Sequence, residues 1–203
     1  MRVKKIDIIG SIITGEITAW YFIGLFGELT GKIKILSLIL WSLPIVFPIL
    51  SVFCLWLAFL IGKKFLFVFQ FAKFLLIGVL ATIFDLGTLD IFITVSGIAS
   101  GITYSVFKGT SFIISTSAKY FADKFWAFEK KETTEMGKEF SKFFLVTIIG
   151  LGINVLTASF VVNQIGPQFG ISAKSWANIG GIVAVLPTFL WNFFSYKFLV
   201  FKK

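Results

Sequence analysis

The side chains best suited to chemistry in this sequence come in matched pairs. Lys119 and Lys124 stand near the end of one apolar stretch, and Asn192 and Lys197 stand near the end of another. Ammonium and amide groups are good donors to a phosphate held at the depth of a lipid headgroup. Asp85 and Asn154 lie at the middle of two further apolar stretches. An unpaired charge at that depth costs roughly 2.5–3.5 kcal/mol on insertion scales, so such a residue faces a bundle, a cavity or a partner. Two readings of Asp85 stay open: a carboxylate that couples to protons or binds sugar hydroxyls, and a neutral, hydrogen-bonded packing residue. Glu16 raises the same question in the first apolar stretch.

Other chemistry is ruled out by composition. The chain has no histidine, which removes the usual general base and the commonest metal ligand. Its single cysteine, Cys54, lies inside an apolar run, so no internal disulfide or cysteine-rich metal site can form. No metal motif, carboxylate cluster or glycine loop for nucleotides is visible. The expectation is therefore no catalytic residues, no metal and no cofactor. The net charge of +9 is spread in small lysine clusters beside apolar runs rather than in a stripe with stacking aromatics, which argues against nucleic acid.

These residues must be positioned by membrane helices. Of the 203 residues, 57% are hydrophobic and only 14% are charged, whereas soluble domains carry about 25% charged residues. Six stretches are long enough to cross a bilayer, about 6–29, 35–61, 70–95, 103–121, 140–164 and 174–196. The first is interrupted by Glu16 and by Gly10, Gly15, Gly24 and Gly27, so an interfacial or re-entrant segment is the alternative there. Pro44, Pro48 and Pro187 predict kinks. The start, MRVKK followed by an apolar run, mimics a signal peptide but lacks a clean cleavage site and reads as retained. With both termini cytoplasmic, only Lys32, Lys34, Lys108 and Lys174 of the 19 basic residues fall outside, and fifteen fall inside.

The body of the chain is written twice. FAKFLLIGVLATIFD, from Phe71, matches FSKFFLVTIIGLGIN, from Phe140, at an offset of 69, which aligns Asp85 with Asn154. YFADKFWAFEK, from Tyr120, matches FFSYKFLVFKK, from Phe193, at an offset of 73. Residues 70–131 and 140–203 thus read as two copies of one helix hairpin. Two spans per copy make the repeats parallel, about an axis along the membrane normal. Residues 1–69 read as an added membrane hairpin. The fold class expected is an all-α integral membrane bundle of about six helices. Tyr120, Trp126, Phe128, Phe193 and Phe201 read as interfacial aromatics. Phe121, Lys124, Phe125 and Phe128 are spaced to share one helical face. The same lysines and rings also suit plain anchoring at the membrane surface, with lysines reaching to the headgroups.

At these residues the chain resembles the GtrA-like family of small membrane proteins. Its pattern is a tandem pair of hairpins, each opening with an aromatic–basic signature such as FAKFLLIG and closing with a motif such as WNFFSYKFLVF. The first copy carries Lys119–Tyr120 where the second carries Asn192–Phe193. What the resemblance implies is work on polyprenyl-phosphate-linked sugars at the cytoplasmic membrane, for surface polysaccharide synthesis or glycosylation. The protein would translocate such a lipid or, alternatively, anchor and assist the glycosyltransferase that makes it. The partners implied are membrane lipid, a polyprenyl-phosphate sugar, a glycosyltransferase, and a second copy of the chain.

Overall fold

A backbone in hydrocarbon must satisfy its own hydrogen bonds, and apolar runs of this length do so as helices. The computed structural model describes residues 2–30, 34–98, 101–168 and 173–202, and among them there are helices and no strands. Helix α1 spans Lys5–Thr30, α2 Lys34–Gly62, α3 Leu66–Ser96, α4 Gly101–Ala122, α5 Met136–Ser159 and α6 Ala173–Ser195. Each of the six expected stretches is helical, the first included. Among the described residues, four segments are long and apolar enough to cross a membrane: Lys5–Gly24, Ser37–Gly62, Leu66–Ser96 and Val183–Val200. Serines and threonines in α4, and the charged first turns of α5, make those two less apolar. Lys32 lies outside the described residues, as do Lys203 and the side chains of Lys34, Lys108 and Lys174.

The chain forms two compact units, Met1–Glu129 and Lys130–Lys203. In the first, α1 packs on α2 and α3, and α3 packs on α4. In the second, α5 packs on α6. The glycines of α1 do not break it; two of them let neighbours approach. A Cβ on Gly15 would lie 2.5 Å from the Cα and N of Pro48, so this proline of α2 is seated on a glycine. Similarly, a Cβ on Gly10 would meet the Trp126 ring at 2.5 Å.

Both hairpins end on the same device. Helix α4 runs into a π-helical turn at Asp123–Ala127 and α6 into one at Tyr196–Val200, one repeat offset of 73 apart. The turns close with Phe128 N–H donating to the Asp123 carbonyl at 2.9 Å and Phe201 N–H to the Tyr196 carbonyl at 2.7 Å. A π-helical turn holds one extra residue, so side chains beyond it rotate away from the face that α-helical spacing predicts. The single face expected of Phe121, Lys124, Phe125 and Phe128 is accordingly split. Phe121 and Phe125 are exposed, while Lys124 and Phe128 are buried.

Two glycine substitutions should separate packing from helix propensity. Gly15→Ala should destabilise the protein by about 1–3 kcal/mol, because Pro48 offers backbone rather than a movable side chain. Gly24→Ala meets nothing within 4 Å and should be neutral or slightly stabilising. Thermal melts in detergent would check both.

Candidate functional site

A polar cluster of the first unit gathers at the basic end of its hairpin. Lys73, from the FAKF signature, is 1% exposed, and its Nζ lies 2.9 Å from Asp7 Oδ1 and 2.9 Å from Glu129 Oε1. Asp7 sits in the first turn of α1. Its Oδ2 accepts the Lys4 backbone N–H at 2.8 Å, as an acidic residue capping a helix start does, and its Oδ1 accepts Trp126 Nε1–H at 2.9 Å. Glu129 follows the π-helical turn with a φ of 51°, a left-handed conformation that costs a non-glycine residue about 1–2 kcal/mol. Lys4 and Lys73 hold its carboxylate there, at 2.5 Å and 2.9 Å. Partial burial pushes the Glu129 carboxyl up, but these hydrogen bonds and charges outweigh it and keep it below its ordinary value.

Farther along α4, the Lys119 ammonium bonds to Asp123 and lies over the Phe74 ring, 4.0 Å from its centroid. Asp123 is fully buried, and its Oδ1 has no hydrogen-bond partner among the described residues. Lys124 is buried beside it. Lys119 and Lys124 thus lie near the same end of the hairpin, and the Asp123 carboxylate pairs with Lys119.

In the second hairpin the corresponding positions are occupied differently. Tyr196 replaces Asp123 and stacks on Phe143 at 4.3 Å. Thr147 donates to the Phe143 carbonyl at 2.8 Å, so the Tyr196 hydroxyl is the donor in its 2.5 Å contact with Thr147. Asn192 takes the place of Lys119. A Cβ on Gly150 would overlap its side chain, coming within 3.1 Å of the Asn192 Cγ, and its buried Oδ1 has no hydrogen-bond partner among the described residues. Lys197 is partly exposed and lies 5.6 Å from the Phe198 centroid, as Lys124 lies 6.0 Å from that of Phe125.

The remaining expected residues fall elsewhere. Asp85 Oδ1 accepts a hydrogen bond from Ser111 of α4 at 2.6 Å. Its counterpart Asn154 has Ala184 at the position of Ser111, so the acid and the hydroxyl vary together. Glu16 is half-buried next to the Gly15–Pro48 contact. Tyr120, Phe128, Phe193 and Phe201 are each at most 3% exposed, and Trp126 is half-buried. The exposed rings near these ends are Phe121, Phe125, Phe194 and Phe198. Two apolar grooves flank the second helices. One of about 140 Å³ is lined by Ala118, Lys119, Ala122 and Trp126 with Ile77 and Leu80. The other, of about 510 Å³, is lined by Trp191, Ser195 and Leu199 with Pro187, the same repeat positions on α6.

Asp7 and Glu129 escaped the sequence reading as counter-ions of Lys73, since a lone acid in a first turn looks like a cap and Glu129 looks like loop. The available signal was that both carboxylates adjoin motifs rich in lysine. Breaking the buried pair with Lys73→Met should cost roughly 3–5 kcal/mol, because it strands Asp7 without its cation. Since the Glu129 carboxyl is held low, its contribution is full above about pH 4.5 and is lost as the pH falls through its depressed value. Melting temperatures in detergent should fall on acidification through that range, and Glu129→Gln should flatten the fall.

Comparison with known families supplies what geometry alone does not. No curated protein and no solved structure matches the chain. A family model described as GtrA/DPMS, transmembrane domain, matches residues 73–201, from the buried Lys73 to Phe201 in the aromatic contact that closes the second hairpin. That match covers more than half the sequence and both hairpins, and the chain therefore belongs to the GtrA/DPMS transmembrane domain family.

Proposed function

We propose that the protein translocates a polyprenyl-phosphate-linked monosaccharide, or its carrier lipid, across the cytoplasmic membrane for cell-surface polysaccharide synthesis or glycosylation. Family membership supports involvement in membrane work on polyprenyl-phosphate sugars, and this is the observation that carries the reading. The cation-rich hairpin ends, with apolar grooves alongside, add a place where a phosphate and a prenyl chain can be held together. The basic ends face the cytoplasm in this reading, in keeping with the lysine bias. No catalytic group is needed: a headgroup must cross hydrocarbon, and Asp85 and Asn154 provide polar positions at mid-helix for its hydroxyls.

The test is transfer of a labelled polyprenyl-phosphate sugar between leaflets of liposomes containing the purified protein, with co-purification of a glycosyltransferase measured in parallel. Asp85→Asn keeps an oxygen that can accept the Ser111 hydrogen bond, so folding should survive. Transfer should fall at least several-fold if a carboxylate is required. Wild-type protein that transfers nothing yet co-purifies with the glycosyltransferase would point to an anchoring subunit. Deleting residues 1–69 is a poor discriminator, because it removes the Asp7 counter-ion of Lys73 along with the added hairpin.

A further inference from the structure

The two hairpins share a frame at their basic ends but differ in charge. In the first, Phe74 and Phe128 pack with centroids 6.3 Å apart and planes at 51°. In the second, their repeat partners Phe143 and Phe201 pack at 6.2 Å and 46°. The residues flanking these rings, Lys73 and Glu129, meet as a 2.9 Å ion pair. At the same repeat positions, flanking Phe143 and Phe201, stand Lys142 and Lys202. The frame that joins a cation to an anion in the first hairpin therefore presents two cations in the second, and both are exposed.

The nearby acids are occupied. Glu135 lies 3.0 Å from Lys138, its main cation, with Lys142 a weaker charge on it, and Glu139 lies 2.6 Å from Lys130. Lys130 also donates to the Lys202 carbonyl at 3.0 Å, which fixes the backbone that carries Lys202. Two ammonium groups at the positions where the first hairpin pairs Lys73 with Glu129 would repel, and an anion with several acceptor oxygens would relieve that repulsion by bonding to both.

We propose that Lys142 and Lys202 form a clamp for a phosphate headgroup at the basic end of the second hairpin, the matching positions of the first hairpin being closed by their own ion pair. The clamp deepens the transport reading, on which the prenyl nature of its ligand rests. The two lysines would grip the phosphate, with the Pro187 groove in the same hairpin to receive apolar chain.

The probe is farnesyl phosphate, titrated against the purified full-length protein in detergent, with farnesol, inorganic phosphate and phosphatidylglycerol as competitors. The wild type should bind farnesyl phosphate, and the double variant Lys142→Gln/Lys202→Gln should bind it about tenfold more weakly or worse. Lys202→Glu recreates the cation–anion pair of the first hairpin, so it should lose as much affinity while melting no lower than wild type. Glu129→Gln, in the first hairpin, should bind within about twofold of wild type. No binding by the wild type, wild-type affinity in either lysine variant, or an equal loss in Glu129→Gln would overturn the clamp. Competition by inorganic phosphate as strong as farnesyl phosphate's would make the ligand free phosphate. Competition by phosphatidylglycerol of that strength would make it bulk acidic lipid, and the clamp stands in both cases. A wild type that binds farnesyl phosphate but moves no sugar in liposomes would remove the transport reading and leave the clamp.

Discussion

The first unit is organised around one buried ammonium. Lys73 is almost wholly out of solvent, and an ion of that size is tolerated there only when charge and hydrogen bonds replace its water. Asp7 and Glu129 supply them from two other parts of the chain, the first turn of α1 and the residue after the π-helical turn. Each carboxylate has further obligations, Asp7 to Trp126 and the α1 backbone and Glu129 to Lys4. A requirement for charge balance at one atom thereby fixes where α1 begins, how α4 ends and why Gly10 must be small enough to pass beneath Trp126.

Against that arrangement the second hairpin stands out as the same backbone solution with different side chains. Ring pairs, π-helical turns and lysine–aromatic contacts recur at the repeat offset, as in Phe121 with Phe125 at 6.4 Å and Phe194 with Phe198 at 6.2 Å. Where the first hairpin has carboxylates, the second has Tyr196 and Lys202. Its closing contacts are correspondingly neutral: Tyr196 to Thr147, and Trp191 Nε1–H to the Val146 carbonyl at 3.1 Å. A duplicated scaffold needs ring packing in both copies, because that holds the helices together. The buried Lys73–Asp7 pair belongs to the first copy alone, where α1 arrives to supply the counter-ion. At the matching positions of the second copy, Lys142 and Lys202 are exposed.

Much was legible in the linear sequence. Helices were forced by apolar runs of membrane length, since hydrocarbon offers the backbone no partner. The hairpin motifs and the family resemblance were readable because lysines and aromatics recur in order and at nearly constant offset. Those are properties of residue type and spacing, which do not depend on which face a side chain takes. The tertiary structure decided the faces. A π-helical turn shifts the register by one residue, so Phe128 beyond it turns inward although α-helical spacing groups it with the exposed Phe121 and Phe125, and Lys124 within the turn is buried too. It also decided that Gly15 seats Pro48 rather than breaking α1, and that Asp7 and Glu129 meet at Lys73 across separations of 66 and 56 residues. Ion pairs over such distances along the chain leave no periodic trace, because their geometry arises only once separate helices are packed side by side.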